Sequence, residues 1–427
     1  MEHMKIIIIR NAKIIDKSSN FHNSINDIKI EDGIIKQISS NISSNQPFYE
    51  VDIDNLHVSP GWIDMHVRFG EPGFEKRETI NSGLNEAAKS GFTGVVVMPS
   101  TYPSTDTKSA IEFFNKKSLN NIVDLFPTGC ITKERKQTEI SEMYDMFQSG
   151  AVAFTDDKKT IQNTMLLNIA LEYVKNFNGL IMTNCIDTHM SYNGQIDESI
   201  TSVKMGLNTI PEVSEDIIVD RDISLLKYTN SRLHLSTISS YNALKKIKKA
   251  KSENLNLTTD VAAYNLILNT DSTKDFDTNM KLLPPIRSEK TRLFLIQSIL
   301  DGTIDAVSSD HTPLELEDKN CEFNLAKFGM IGLKTLFPIL NKVLGKKMEL
   351  YKIIKLISQN PRKILNMPEN IIKIGKKANL TFFDPKKKWK YEEKDICSLS
   401  KNTPFIGSNF EGVSLGVYNN SKLFLND

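Results

Sequence analysis

The chain has 427 residues, of which 40% are hydrophobic and 25% charged, and its formal net charge is +1. This composition is ordinary for a globular protein, and the near-neutral charge gives no reason to expect nucleic acid or an anionic membrane surface as a partner. No apolar run approaches the length of about 18 residues that a membrane span needs. The four cysteines form no CxxC pair. We therefore expect a cytoplasmic protein with free thiols and no membrane contact.

The first 58 residues are predicted to form short β-strands. Apolar and polar residues alternate there, and Asp32-Gly33 is typical of a tight turn between two strands. The predicted strands cover residues 5–9, 12–15, 28–31 and 33–38.

From about Ser59 onwards, apolar strands alternate with longer amphipathic segments. The predicted strands are 62–67, 94–98, 122–127, 151–154, 180–184, 232–238, 255–261 and 304–309. The predicted helices between them include 79–90, 165–176, 212–228, 241–251 and 288–300. Eight such alternations predict an α/β fold, a (β/α)8 TIM-type barrel.

After residue 366 the pattern returns to strands, at 379–384, 414–418 and 422–425. Because β segments flank the barrel on both sides, we expect the two ends to pair into one small β-sandwich. The predicted domains are the N-terminal part of the sandwich at 1–58, the barrel at 59–366 and the C-terminal part of the sandwich at 367–427.

The most informative motif lies at the end of the first barrel strand and reads His66-Val67-Arg68. A histidine pair two residues apart on a strand directs both imidazoles to one face, where they can share a metal ion. Arginine carries a permanent positive charge and has no lone pair to offer a metal. The motif therefore keeps one candidate ligand and replaces the other by a cation.

Further motifs make the chain resemble the dihydroorotases of the amidohydrolase superfamily, of the type related to hydantoinases, over nearly its whole length. The segments that carry the resemblance are Pro60-Gly-Trp-Ile-Asp-Met-His66, Gly150-Ala-Val-Ala-Phe-Thr-Asp-Asp157, Leu283-Pro-Pro-Ile-Arg287, Ser309-Asp-His311 and Phe328-Gly-Met-Ile-Gly-Leu333. The resemblance implies the same barrel and sandwich.

The resemblance also implies a metal site at the carboxyl ends of the barrel strands. In the family, four histidines, a carboxylate after strand 4 and an aspartate after strand 8 hold one or two Zn²⁺ ions, which activate water, and the last aspartate transfers the proton. His66, Asp157 and Asp310 match three of these positions. The other three histidine positions are replaced, by Arg68, Asn184 and Thr237.

The implied substrate contacts are changed in the same way. Phe328 and Gly329 match positions whose backbone contacts substrate in the family. The family's carboxylate-binding arginine corresponds to Gly70, and three further contact positions carry Ser100, Leu283 and Leu314. Both the metal site and the substrate contacts are therefore predicted to be altered.

Three interpretations remain open. The first is a catalytically inactive dihydroorotase homologue of pyrimidine biosynthesis, a homo-oligomer with a structural function and no cofactor, for which the resemblance suggests aspartate transcarbamoylase as a partner. The second is an active dihydroorotase or related cyclic amidohydrolase with a reduced Zn²⁺ site made by His66, Asp157 and Asp310, in which Asp310 is catalytic. The third is a small-molecule binding protein that uses the altered barrel mouth.

Electrostatics gives one geometric prediction. Two buried carboxylates without a metal need a countercharge, and Arg68 stands where a cation would be bound. We expect an Arg68 nitrogen about 2.7–3.2 Å from an oxygen of Asp157 or Asp310. His234 and His311 are expected to pack in the core.

Overall fold

The computed structural model describes residues 6–426, so the predicted strand residue Lys5 and the outermost residues of the two terminal domains lie outside the described part. The predicted strands 5–9 and 12–15 form one strand that is interrupted by a bulge between Ile9 and Ala12. The strands of the N-terminal segment are β1 (Ile6–Ile14), β2 (Ile25–Glu31), β3 (Ile34–Ser39), β4 (Tyr49–Val51) and β5 (His57–Pro60).

The barrel prediction is confirmed, and seven of its eight strands are regular. They are β6 (Trp62–Val67), β7 (Phe92–Val97), β8 (Asp124–Pro127), β9 (Ile181–Asn184), β12 (Leu233–Ser236), β13 (Leu257–Ala262) and β14 (Ala306–Ser308), and a short pair, β10 (Ile196–Asp197) with β11 (Thr209–Ile210), lies in a loop. Neighbouring strands are parallel, and a bridge between Val67 and His311 joins the last strand to the first. Parallel strands bring their carboxyl ends to one face of the barrel, the usual position of a site in this fold.

The prediction of a regular strand at 151–154 is wrong. Only Phe154 forms bridges, to Gly129 on one side and to Ile181 on the other. The Phe154 amide donates to the Leu180 carbonyl at 2.9 Å, which continues the barrel wall between β8 and β9. The segment is too short for a ladder because the backbone soon turns into the left-handed region at Asp157, where φ is 56°.

Helices surround the barrel, and the predicted ones begin and end close to the predicted residues. Side chains cap several of them, as at α1, where Thr79 accepts a hydrogen bond from the Ser82 amide. The helices are α1 (Ile80–Lys89), α2 (Lys108–Lys117), α3 (Met143–Gln148), α4 (Thr164–Lys175), α5 (Ile200–Met205), α6 (Glu212–Thr229), α7 (Tyr241–Ser252), α8 (Glu289–Leu300), α9 (Leu316–Lys319), α10 (Leu333–Leu344), α11 (Leu350–Leu356) and α12 (Gln359–Ile364). Among residues 6–426, none of these helices combines the length and apolarity that crossing a bilayer requires.

The two ends of the chain join in one mixed sheet. The C-terminal strands are β15 (Leu380–Lys390), β16 (Asn409–Asn419) and β17 (Lys422–Leu425). The strand order is β17-β16-β15-β5-β1-β2-β3, with β4 on β1. The pairing of β5 with β15 confirms that both termini build the predicted β-sandwich, while the domain boundaries at 58 and 366 stay a prediction.

Trp62 connects the sandwich to the barrel. Its fully buried ring lies 4.8 Å from the ring of Phe337 on α10 and 5.5 Å from that of Phe383 on β15. Such aromatic contacts bury a large apolar area and fix the relative position of the elements that carry them. The first residue of β6 is thus anchored, and the strand's other end carries the candidate site.

Candidate active site

His66 and Arg68 lie at the carboxyl end of β6 and face the barrel mouth together. They are two residues apart, so the strand's period of two gives both side chains the same direction. His66 is 2% exposed. The Arg68 side chain is 13% exposed and therefore reaches the mouth.

Arg68 joins the two carboxylates that the sequence predicted at the mouth. Its Nε donates to Asp157 Oδ2 at 2.7 Å and its Nη2 donates to Asp157 Oδ1 at 2.5 Å. Its Nη1 donates to Asp310 Oδ1 at 3.0 Å and also to the Thr312 hydroxyl. The predicted contact between Arg68 and a carboxylate is confirmed, and it is a two-pronged, charge-assisted contact at Asp157.

His66 belongs to the same cluster. Its Nε2 lies 3.0 Å from Asp157 Oδ1 and 3.1 Å from Arg68 Nη2, and its Nδ1 lies 3.6 Å from Asp310 Oδ1. The three residues that match the family's metal positions therefore converge, with the Arg68 guanidinium among them.

A second cation, Lys158, was missed by the sequence analysis. Its Nζ lies 3.1 Å from Asp310 and donates to the Thr237 hydroxyl at 3.3 Å. Lys158 directly follows Asp157, but strand alternation directs neighbouring side chains to opposite faces, so no sequence signal placed it beside Asp310. Tyr264 was missed as well, and its hydroxyl donates to Asp310 Oδ2 at 3.2 Å.

The charges of the cluster decide which protonation states are stable. Burial alone would raise the pKa of Asp157, but the charge of Arg68 and hydrogen bonds from His66 and Arg68 hold this pKa well below its usual value. Burial also opposes ionisation of Asp310, and the charges of Lys158 and Arg68 outweigh it, so its pKa is lowered. Both carboxylates are ionised at neutral pH, and Arg68 is their permanent countercharge; burial lowers the pKa of Lys158.

The replaced positions Asn184 and Thr237 lie at the mouth but do not contact Arg68. Asn184 accepts a hydrogen bond from the Thr160 hydroxyl at 3.3 Å, and the Thr237 amide donates to Asp260 Oδ1 at 2.5 Å. Neither side chain offers a nitrogen lone pair to a metal, which the histidines of the family positions would offer.

The two histidines that were predicted to pack in the core, His234 and His311, are buried. His234 is fully buried and its Nδ1 lies 2.9 Å from the Thr258 hydroxyl. His311 is also fully buried, and its Nδ1 accepts a hydrogen bond from the Gly332 amide at 3.3 Å.

A cavity of ≈ 360 Å³ lies above the cluster. It brings together all the positions that the resemblance associates with substrate, which are Gly70, Ser100, Leu283, Leu314, Phe328 and Gly329. Its size falls in the range of small-molecule pockets. These residues, which are far apart in the sequence, therefore line one cavity.

Gly70 is a crowded position. A β-carbon built on it would lie 2.1 Å from the Phe74 carbonyl oxygen and 2.9 Å from that of Glu78. Both atoms belong to the backbone and cannot rotate away. The loop after β6 is therefore packed around a residue without a side chain.

The donor set does not fit the zinc site of the family. Each carboxylate of the cluster already accepts hydrogen bonds from a cationic side chain, and Arg68 adds positive charge where a metal would add it. Within residues 6–426, no group of three or more His, Cys, Asp or Glu side chains has a geometry that could hold a metal ion.

Comparisons with known proteins give a consistent result. The family described as Dihydro-orotase-like matches residues 56–243. A protein of Caldicellulosiruptor saccharolyticus named dihydroorotase is 36% identical over 428 residues, which cover 99% of each chain, and one of Carboxydothermus hydrogenoformans with the same name is 37% identical over 90% of each chain. Among solved structures, the L-hydantoinase of Arthrobacter aurescens matches with a TM-score of 0.85 at 22% identity, over 98% of this chain and 96% of that chain. The last comparison supports the fold alone.

Proposed function

This chain belongs to the dihydroorotase family, and from that premise we propose that it serves pyrimidine biosynthesis as a catalytically inactive member with a structural function. The similarity to relatives named dihydroorotase extends from end to end, so barrel and sandwich are both retained. What differs is the chemistry at the barrel mouth. The retained fold supports a structural function, and the altered functional groups argue against catalysis.

The observation that carries the proposal is the position of Arg68 between Asp157 and Asp310. Catalysis by zinc depends on a metal that activates water and polarises the scissile carbonyl, held by three protein ligands with one open position. Here a guanidinium provides the positive charge instead. It stabilises the two carboxylates, but it cannot bind and deprotonate a water molecule as a metal does.

The cavity supports the same conclusion independently. Dihydroorotate carries a carboxylate, which the family binds through an arginine at the position of Gly70. That position has no room for a side chain, and Leu283 and Leu314 replace two further contact positions of the family. The carboxylate contact that the resemblance implies, and the orientation of the substrate that depends on it, are therefore missing.

For the structural function we propose a cytoplasmic homo-oligomer with aspartate transcarbamoylase as its partner. Support for this part comes from family membership. It is tested by mixing the purified chain with the aspartate transcarbamoylase of its own organism and measuring the mass of the species formed by size-exclusion chromatography with light scattering.

The alternative function is an active cyclic amidohydrolase that uses His66, Asp157 and Asp310 with a zinc ion. The convergence of these three residues favours it, but the metal would have to displace Arg68 from both carboxylates. The two functions differ in turnover, which can be measured directly.

The deciding experiment measures dihydroorotate hydrolysis by the purified chain in zinc-containing buffer, beside the Caldicellulosiruptor saccharolyticus relative as positive control. We expect no rate above the uncatalysed reaction. A rate that disappears in Asp310→Ala would establish the alternative.

A further inference from the structure

A basic groove lies on the sandwich side of the molecule and shares no residue with the barrel-mouth cavity. It has a volume of ≈ 850 Å³ and runs between helix α10 and the paired strands β15 and β16. We call it the lysine groove, defined by Lys342, Lys346, Lys386, Lys388 and Lys390.

The five lysines are arranged on two facing walls. Lys342 lies in the last turn of α10 and Lys346 in the turn directly after the helix, and both line the groove on one side. Lys386, Lys388 and Lys390 lie on β15 and line the groove on the other side. All five are exposed, and none forms an ion pair with any residue of the described range 6–426.

The charge of the groove is therefore uncompensated. Glu411 is the only acidic residue that lines it within the described part of the chain. Lysines on a single exposed strand often serve only to prevent strand-to-strand aggregation. That explanation applies to the lysines of β15, but not to Lys342 and Lys346 on the opposite wall.

The groove has an apolar floor. Trp389, Leu350 and Pro385 line it half-buried, above the buried side chains of Ile353 and Phe410. The Trp389 ring is held in place because its Nε1 donates to the Gly412 carbonyl at 2.9 Å. The floor thus offers contacts for apolar side chains between the two lysine-bearing walls.

The two walls are fixed to each other. Asn341 on α10 donates from its Nδ2 to the carbonyl oxygens of Pro385 and Glu411, at 2.9 Å in both cases. A preformed groove loses little conformational entropy when a ligand enters it.

We propose that the lysine groove binds an acidic segment of a partner protein, one in which apolar side chains accompany the carboxylates. The lysines would pair with the carboxylates, and the apolar side chains would pack on Trp389. The groove contains no arginine, the residue whose planar fork suits phosphate groups best, and the whole chain has a net charge of only +1. These observations favour an acidic polypeptide over nucleic acid, and they do not depend on the function proposed for the barrel mouth.

The test uses the full chain and a fluorescein-labelled peptide of about fifteen residues that repeats Glu-Glu-Leu, with fluorescence anisotropy as the readout. We expect saturable binding that weakens as salt is raised, and no binding of the same peptide with Gln in place of Glu. The triple variant Lys386→Gln, Lys388→Gln, Lys390→Gln should bind the acidic peptide at least about tenfold more weakly.

The matched control changes the same number of charges elsewhere. Lys36, Lys204 and Lys274 are exposed, do not line the groove and form no ion pair within residues 6–426, so their triple Gln variant should bind like the wild type. Circular dichroism verifies that both variants are folded.

Trp389 gives a second, local readout. The chain has two tryptophans, and Trp62 is fully buried in the core, so a change in tryptophan emission on peptide addition reports on the groove. The proposal is overturned if the acidic peptide does not bind, if the control variant loses binding equally, or if single-stranded oligo-dT binds the groove more tightly than the peptide.

Discussion

The guanidinium of Arg68 makes a two-pronged contact with Asp157, with Nε–Oδ2 and Nη2–Oδ1 distances of 2.7 and 2.5 Å. This leaves Nη1 free to donate to Asp310. One side chain at the end of β6, the first barrel strand, thus connects residues that follow the fourth and the eighth barrel strands. Lysine at position 68 could not make these contacts, because its ammonium group is a point charge without the planar fork.

We expect Arg68→Met to lower the free energy of unfolding by about 3 kcal/mol, because it leaves buried carboxylates with only part of their countercharge. Urea denaturation followed by circular dichroism measures the change. As a control, Arg292→Met removes an arginine whose partner Glu289 is half-exposed, and it should cost about 1 kcal/mol or less. Equal losses in the two variants would contradict the importance of the Arg68 contacts.

The same variant should change the pH dependence of stability. In the wild type the pKa values of Asp157 and Asp310 are lowered. Their ionisation therefore contributes fully to the free energy of unfolding above their unfolded-state pKa values, and this contribution is lost only as the pH falls below about 4. Without Arg68, burial dominates at Asp157 and raises its pKa, so the folded variant takes up a proton that the unfolded chain releases. The free energy of unfolding of the variant should therefore fall as the pH rises from about 5 to 8. In the same range, Asp157 and Asp310 do not change the stability of the wild type.

Denaturation curves at pH 5 and pH 8 test the predicted direction of this change. The difference in the free energy of unfolding between the wild type and Arg68→Met should be larger at pH 8. A difference that is the same at both pH values would mean that Asp157 finds another countercharge, with Lys158 as the first candidate.

We predict that the protein purified without chelators contains much less than one zinc ion per chain. Arg68, Asn184 and Thr237 supply no metal ligand, and the remaining carboxylates are engaged by cations. Elemental analysis of the protein measures the content. Near-stoichiometric zinc that is lost in His66→Ala would disprove the prediction.

Restoring one ligand should not restore turnover. Arg68→His restores the histidine pair at the end of β6. Asn184 and Thr237 still replace two histidines of the family, and catalytic groups that act as a unit lose function together. We expect dihydroorotate hydrolysis by Arg68→His to stay at the uncatalysed rate. Turnover of this variant that requires zinc would show that the remaining positions suffice.

Gly70→Ala should destabilise the fold by about 2 kcal/mol, because the added β-carbon would overlap backbone atoms of Phe74 and Glu78. Thermal unfolding measures it. Ser100→Ala, a change in the same cavity that adds no atom, should stay within about 0.5 kcal/mol of the wild type. If Gly70→Ala is as stable as Ser100→Ala, the loop is looser than its packing indicates.

The sequence predicted the features that follow from periodicity. The alternation along β6 was sufficient to place His66 and Arg68 on one face. The family resemblance placed Asp157 and Asp310 at the mouth, and the charge argument then predicted a contact of Arg68 with at least one of them. The contact between Lys158 and Asp310 could not be predicted in this way, because it depends on the left-handed backbone at Asp157, where the regular alternation of the strand ends. The crowding at Gly70 likewise depends on how the loop folds back on itself, which no pattern of residue types records.

The pairing of β5 with β15 has a consequence for the order in which the protein can fold. Residues 57–60 find their partners at 380–383, so this part of the sheet can form only after nearly the whole chain has left the ribosome. Until then β5 presents an unpaired edge to other chains in the cell, and such edges are prone to aggregate. Pairing between distant segments also slows folding, because a long loop must close first. The completed C-terminal strand therefore protects a segment that was synthesised long before it.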